Sequence, residues 1–276
     1  MKSDDVTNDT PHQPLTKDSF EYPENSLTKE QSINLWLQGK EKWNSWMKDN
    51  PGTSVDFRDV QFSKLGIVRQ APSLQPDIFG KHQENLKTIS FEGYIFNGGA
   101  FFSGASFPLP TFFDDATFEN TTDFSDATFN CEAHFSNATF NSYTDFSFAS
   151  FEGEVMFGDS HFAISTSFYR ALFNRLAYFP STTFNGVIQF SGATFKGGTH
   201  FNKTTFNCID VDFNDIKSIS TFSFEDITTD KVKNLSFKGS SFDKDFIIGG
   251  YFNCIPDFRG TKLNHHTELS DLNHKL

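Results

Sequence analysis

The sequence has few cysteines and no long apolar run. Its three cysteines, Cys131, Cys208 and Cys254, show none of the close spacings that bind metals. Each follows a phenylalanine by two residues, in a position typical of a turn, and we interpret them as unpaired thiols in a reducing compartment. No segment is apolar over the length of a membrane span, and residues 2–10 are too polar for a signal peptide. We therefore expect a cytoplasmic protein that does not enter a membrane.

Positive charge is also scarce, and so are the motifs of catalysis. The 276 residues include 23 Lys and Arg against 35 Asp and Glu, which gives a formal net charge of −12. Direct nucleic-acid binding through a basic patch is therefore not expected. The sequence contains no glycine-rich phosphate loop, no nucleophile elbow and no His-Glu-x-x-His motif. We accordingly predict a protein that is not an enzyme and that has no cofactor and no metal site.

Phenylalanine is abundant instead, with 37 copies, and it recurs at a fixed period. Between residues 118 and 206 the steps alternate between six and five residues, so the unit is eleven residues long. A small or β-branched residue stands two positions before each Phe, which gives a short period-2 segment, and turn-forming residues often follow. On a helix these steps would place successive Phe about 120–140° apart rather than on one stripe, so a helical supercoil is excluded. The pattern predicts a β-solenoid. The series comprises Phe118, Phe124, Phe129, Phe135, Phe140, Phe146, Phe151, Phe157, Phe162, Phe168, Phe173, Phe179, Phe184, Phe190, Phe195, Phe201 and Phe206.

The units resemble those of a known family. Ala-Thr-Phe at 127–129, 138–140 and 193–195, and Thr-Asp-Phe at 122–124, resemble pentapeptide repeats. That unit has a small residue, a polar residue, a central Leu or Phe and two polar residues. The resemblance implies an all-β solenoid, a right-handed quadrilateral β-helix with the central residues stacked inside. Because this sequence adds a sixth residue on every second side, we predict about 22 residues per coil. A two-sided coil of eleven residues is the alternative.

The sequence before the repeats predicts a disordered segment and a helix. Residues 1–27 are polar and contain three prolines, so we expect them to be disordered. Thr28 and Gln31 form a capping box that opens a helix over residues 28–50. This helix is amphipathic and contains all three Trp of the chain. We predict that it caps the open first coil, with partner binding as the alternative.

The β-helix itself is predicted to span residues 53–258. Within it, residues 68–87 lose the pattern and read as an irregular excursion. After residue 207 the phase slips, so we expect irregular coils there. Residues 259–276 are predicted to form a polar tail. Apolar residues between 246 and 252 would close the rod or join two copies at the C-terminal end.

Acidic residues concentrate in the first half of the repeats. From Thr88 to Tyr169 there is no Lys or Arg. With 22 residues per coil, Asp123 stacks on Asp145, and we expect such columns to form a solvated acidic face rather than an acid–base site. A run of acidic residues kept without a cation favours either solubility or a basic partner. The acidic residues of this run are Glu92, Asp114, Asp115, Glu119, Asp123, Asp126, Glu132, Asp145, Glu152, Glu154 and Asp159.

Two functions fit these features. The first is a non-catalytic protein-interaction scaffold that presents the acidic face to an unknown protein partner. The second is implied by the resemblance: some pentapeptide-repeat proteins mimic duplex DNA and bind DNA gyrase, a basic DNA-binding enzyme, with inhibition or quinolone protection as the outcome. The repeat pattern alone does not separate the two.

Overall fold

Four columns of short parallel strands wind along one axis. The structure, a computed structural model, describes residues 23–65, 69–70, 87–264 and 266–274. We call the four columns faces 1 to 4, in the order in which the chain visits them within a coil. Face 1 contains Ile95–Phe96, Thr117–Phe118, Thr139–Phe140, His161–Phe162, Thr183–Phe184 and Thr205–Phe206. Face 2 contains Val55–Asp56, Ala100–Phe101, Thr122–Asp123, Thr144–Asp145, Thr166–Ser167, Ile188–Gln189, Asp210–Asp212 and Asn234–Ser236. Face 3 contains Ser106–Phe107, Thr128–Phe129, Ser150–Phe151, Leu172–Phe173, Thr194–Phe195, Lys217–Ser218, Ser241–Phe242 and Lys262–Leu263. Face 4 contains Lys87–Ser90, Thr111–Phe112, Ala133–His134, Val155–Met156, Ala177–Tyr178 and Thr199–His200.

One turn of the solenoid takes 22 residues and has four sides. Thr117 pairs with Thr139 in a parallel ladder, and Thr128 pairs in the same way with Ser150. Both offsets are 22 residues, so the predicted quadrilateral coil is confirmed and the two-sided coil of eleven residues is excluded. The sheets of faces 2 and 3 have eight strands each, which corresponds to a solenoid of about eight coils. The right-handed winding that the resemblance implies stays a prediction.

Phenylalanine fills the interior as stacked ladders. Phe140 lies between Phe118 and Phe162, with ring centroids 4.8 and 4.7 Å apart and planes parallel within 1°. Within one coil the neighbouring rings alternate between edge-to-face pairs, as Phe140 and Phe146 at 77°, and tilted pairs, as Phe135 and Phe140 at 43°. The stacked and edge-to-face arrangements are the favourable geometries of aromatic pairs. The solenoid is therefore held by a continuous aromatic core whose repeat distance equals the spacing of parallel strands, about 4.8 Å.

The corners alternate between two types because the steps alternate between five and six residues. In each five-residue step a β-turn closes, as where the amide of Ala127 donates to the carbonyl of Phe124 at 3.1 Å. The residue immediately before the amide donor of this turn has a positive φ, which is 56° at Asp126. This conformation recurs every eleven residues through the regular coils, and Gly, Asp and Asn tolerate it best. The six-residue steps form wider corners. We name the corners by the faces they join: 1–2 and 3–4 are wide, and 2–3 and 4–1 are tight.

Two helices cover the first coil. They span Lys29–Leu37 and Lys40–Asp49, so the prediction of one continuous helix over 28–50 is corrected, whereas the predicted capping box is present. Gly39 separates them with φ 92°, a value that ends a helix. The indoles of Trp36 and Trp43 are fully buried, and their N–H groups donate to the carbonyls of Ser90 and Ile95 at 3.0 and 2.9 Å. The helices therefore cap the rod, as predicted.

The chain near the cap is only partly described. Most of the segments predicted to be disordered, 1–27, and to leave the coil, 68–87, lie outside the described residues. Where it is described, Ser26 forms a parallel bridge with Ser54, so ordered pairing begins before residue 28. Arg69–Gln70 pairs antiparallel with Lys87–Ser90, and Phe62–Leu65 forms a 3₁₀ turn. These contacts place both ends of the excursion beside the first strand of face 4.

The last coils are longer and their strands extend around a corner. Phe222–Thr229, Phe246–Phe252 and Thr267–His274 pair in succession and join faces 4 and 1 into one sheet of sixteen strands. The offset between paired residues rises to 24 at Phe222 and Phe246, which agrees with the phase slip predicted after residue 207. The tail predicted at 259–276 is not separate from the rod, because Lys262–Leu263 and Thr267–His274 extend its ladders. Backbone pairing needs no apolar pattern, so the sequence did not indicate it.

Candidate interaction surface

Two of the eleven acidic residues of the run do not lie on a solvated surface. Asp123 and Asp145 face each other on adjacent strands of face 2, and only 7% and 4% of their surfaces are exposed. Each bends back onto its own chain, where an Oδ1 accepts from the amide two residues on, Ser125 and Ser147, at 2.8 Å. The expectation that this column forms a solvated acidic face is therefore wrong.

Burial changes the acid–base behaviour of this pair. Desolvation raises the pKa of Asp145, with Asp123 as a further cause, while bonds from Ser147 and from the Tyr143 hydroxyl act in the opposite direction. The pKa of Tyr143 is raised as well, by burial first and then by the two carboxylates. The column continues as Phe101 at one end and Ser167 at the other, and both are buried. These carboxylates are structural and cannot meet a partner directly.

The other nine carboxylates lie at the corners, and seven of them are exposed. Those at the tight corners Asp115, Asp126 and Asp159 have φ near 55°, so Asp also suits the backbone there. Glu92 and Asp114, which are half-buried, lie at corner 4–1 together with Asp115 and Asp159. By corner, the nine are Glu92, Asp114, Asp115 and Asp159 at 4–1, Glu119 at 1–2, Asp126 at 2–3, and Glu132, Glu152 and Glu154 at 3–4.

Neutral groups, rather than cations, hold several of these carboxylates. Glu119 accepts from the side-chain amide of Asn141, one coil later, at 2.9 Å. Glu152 accepts in the same way from Asn174 at 2.5 Å and from the hydroxyl of Ser150 at 2.7 Å. The formal charge is therefore retained and remains available to a cationic partner.

Asp114 is the carboxylate whose ionisation is most disturbed. It accepts from the amide of Ser136, one coil later, at 3.0 Å. Burial raises its pKa to about 6 despite this bond, and the neighbouring charge of Glu92 acts in the same direction. The negative charge at corner 4–1 therefore depends on pH just below neutrality.

Sequence reasoning missed an exposed cluster at corner 2–3. Phe148 is an additional phenylalanine between Phe146 and Phe151 of the regular series; it is 46% exposed and has φ 59°. Its ring meets the ring of Tyr169 edge-on at 5.5 Å, and the guanidinium of Arg170 lies 5.2 Å from the Tyr169 centroid. The eleven-residue period itself could have placed Phe148, because it falls between Asn137 and Asp159 in the series of positive-φ positions.

The described part of the chain contains no group of three or more His, Cys, Asp or Glu able to hold a metal ion. Cys131, Cys208 and Cys254 are free thiols, and burial raises the pKa of Cys208 to about 12. A thiol with so high a pKa is a poor nucleophile at neutral pH.

Comparison with known proteins agrees with this geometry. The family model for pentapeptide repeats matches residues 102–150 in nine copies. A search of curated proteins and a search of solved structures returned no match. Neither of the described helices is long and apolar enough to cross a membrane. Residues 102–150 therefore consist of pentapeptide repeats, and the same parallel four-sided coils continue from them along the described rod.

Proposed function

We propose that this protein is a non-catalytic scaffold that binds a basic surface of a protein partner through its corner carboxylates. The observation that carries the proposal is the placement of nine carboxylates at corners, in a stretch from Thr88 to Tyr169 that has no Lys or Arg. A cationic partner would find a concentration of negative charge there, although Lys40 of the cap already lies beside Gly93 at the first of these corners. The free thiols fit a reducing compartment, and we place the protein in the cytoplasm.

Rigidity supports this role. The corner residues are fixed by ladders on both sides, and the aromatic core beneath them is continuous. A surface that is already ordered loses little conformational entropy on binding. Charge at intervals of about 4.8 Å along the rod is thus presented in a fixed pattern.

The test replaces exposed carboxylates with amides at corners 4–1 and 1–2. The triple variant Asp115→Asn, Asp159→Asn, Glu119→Gln removes three charges and keeps size and shape. The matched control is Glu225→Gln with Asp226→Asn in the second half of the rod. Asp226 has the same positive φ as Asp115, and Glu225 accepts from Asn202 at 2.8 Å as Glu119 does from Asn141. Each immobilised protein is incubated with cell lysate at about 50 mM and about 300 mM salt.

The proposal predicts partners that bind wild type and control at low salt, bind less at high salt, and are lost from the triple variant. Each such partner is then purified and its binding measured by calorimetry. Equal retention by the triple variant and the wild type would contradict the proposal.

A mimic of duplex DNA is the second candidate, favoured by charge density. The nine corner carboxylates span about three coils, or about 14 Å. Duplex DNA has one charge per about 1.7 Å of axis, so about eight charges over that length. Supercoiling by DNA gyrase, with and without a quinolone, tests this candidate. A change that disappears in the triple variant supports it, and no effect at micromolar protein removes it.

A further inference from the structure

The charge on the wide corner 3–4 changes sign between two adjacent coils. Glu132 lies in one coil, and Glu152 and Glu154 lie in the next; all three are exposed. The following two coils place Arg175 and Lys196 at this corner, and both are exposed as well. The boundary between acid and base falls between the face 3 strands Ser150–Phe151 and Leu172–Phe173, which are directly paired.

The same boundary is marked on the other edge of face 3, at corner 2–3. The positive-φ positions of this corner are occupied by Gly or Asp, with two exceptions in adjacent coils, Phe148 and Arg170. A bulky residue in this conformation is strained, yet the Phe148 ring remains 46% exposed. Two strained, exposed side chains side by side point to a contact made outside the chain. The regular occupants are Asp59, Gly104, Asp126, Gly192, Asp215, Gly239 and Gly260.

Between these edges, face 3 presents short side chains. Its outward positions from Ser106 to Thr194 are half-buried, and most of them are Ser or Thr. Such a surface is flat enough for another flat face to approach closely. A complementary partner must have basic residues opposite the acidic coils and acidic residues opposite the basic coils. A second copy of this chain, placed antiparallel to the first, meets this condition.

We propose that two copies of this chain pair antiparallel through face 3, about a two-fold axis between the strands Ser150–Phe151 and Leu172–Phe173. A two-fold axis makes every contact occur twice, with the same patch on both copies. Each coil before the axis then faces a coil equally far beyond it. Glu152 and Glu154 face Arg175 of the second copy, and Glu132 faces its Lys196.

The same two-fold axis also brings together other residues at the two edges of face 3. Phe148 faces Arg170 of the second copy, which allows a cation–π contact across the axis. One coil beyond Lys196, the exposed Ile219 faces the partly buried Leu109. The contact covers six coils, about 24 Å between the first and the last. A contact of this size belongs to the weak class of interfaces, so the dimer should depend on concentration.

Other arrangements of two copies are less complementary. If the axis were moved by half a coil onto Ser150–Phe151, Glu152 and Glu154 of one copy would face the same two residues of the second copy and repel them. A two-fold axis parallel to the rod would put corner 2–3 against corner 3–4 at equal height, and Arg170 would meet Arg175. The antiparallel pairing occupies the carboxylates of corner 3–4 and leaves those of corners 4–1 and 1–2, which the triple variant removes, open to the proposed partner.

Charge reversal on the full chain tests the pairing by sedimentation equilibrium. An acidic variant, Arg175→Glu with Lys196→Glu, and a basic variant, Glu152→Arg with Glu154→Arg, each create like charges across the axis. The control Lys244→Glu changes the same corner outside the six coils. Circular dichroism confirms folding, which is expected because every substituted side chain is exposed.

Wild type and control are expected to dimerise as concentration rises, and added salt should weaken both. Each reversal alone is expected to raise the dimer Kd at least about 10-fold, whereas an equimolar mixture of the two variants is expected to form a heterodimer. A wild type that stays monomeric at about 200 µM would overturn the pairing. A dimer that neither reversal weakens, as expected for association through the C-terminal end, would overturn it equally, as would reversal variants that fail to combine.

Discussion

Asp145 lies directly opposite Asp123 on the next strand of face 2, and both carboxylates are more than nine-tenths buried. Two acidic residues in register on a parallel ladder would repel each other if both were exposed and ionised. The rod accommodates them with amide donors, a tyrosine hydroxyl and a raised pKa at Asp145. The acidic pair is therefore part of the wall of the solenoid, and the charge that a partner can reach lies at the corners.

The difference between buried and corner carboxylates predicts that the same substitution, Asp to Lys, lowers the free energy of unfolding by very different amounts at the two kinds of position. Asp145→Lys places a buried ammonium where a bonded carboxyl was, and we expect it to destabilise by about 3 kcal/mol or more. Asp115→Lys should cost about 1 kcal/mol or less, because Asp115 is exposed and Lys203 already occupies a positive-φ position of the same corner. Urea unfolding of both variants measures the difference. Similar costs for the two would contradict the burial of Asp145.

Asp114 should make stability depend on pH. Its folded-state pKa, about 6, lies above the ordinary value of 3.8. A carboxyl with a raised pKa contributes stability that is fully present below pH 3.8 and is lost as the pH rises through about 6. We expect the wild type to lose about 2 kcal/mol or less from this group across that interval, relative to Asp114→Asn. Unfolding free energies of both proteins between pH 4 and pH 7 give the difference, and a difference that does not change with pH would contradict the shift.

The fold follows from the sequence far more completely than the site does. The alternation of six and five residues between Phe118 and Phe206 predicts coils in which each ring stacks on another, and the strand register then selects the 22-residue turn over the eleven-residue one. The break between the two helices at Gly39 and the pairing of Thr267–His274 depend on local backbone geometry, which this periodicity does not record. The repeat pattern also does not predict the burial of Asp123. Its position points away from the core and would normally be exposed, and it is covered only by contacts within its own coil and with neighbouring coils.

At position 148 the glycine variant should be more stable than the alanine variant, which is the reverse of the usual order. In ordinary backbone conformations Ala is more stable than Gly by about 0.5–1 kcal/mol. At φ 59° the β-carbon is strained, so we expect Phe148→Gly to be more stable than Phe148→Ala by about 1 kcal/mol. Both variants lose the ring, so its contact with Tyr169 cancels in the comparison. Thermal or urea unfolding of the pair measures the order, and a more stable alanine variant would contradict the strained corner.

The aromatic ladder should dominate stability. Phe151 is 1% exposed and stacks between Phe129 and Phe173, with centroids 5.1 Å away on each side. We expect Phe151→Ala to cost about 3–5 kcal/mol, because it opens a cavity in the middle of the ladder. Thr139→Ala, on the outer surface of face 1, should cost about 0.5 kcal/mol or less. Comparable losses in the two variants would mean that the rings do not form the core.

The central claim is that corner carboxylates recognise a basic partner, and the salt dependence of binding tests it most directly. Kd for a purified partner is measured by calorimetry at several salt concentrations, for wild type, the triple variant at Asp115, Asp159 and Glu119, and the control at Glu225 and Asp226. We predict that the triple variant binds more weakly and that its log Kd changes less steeply with log salt, because fewer charges are paired in the complex. The control should match the wild type. An unchanged Kd and an unchanged slope in the triple variant would contradict the claim.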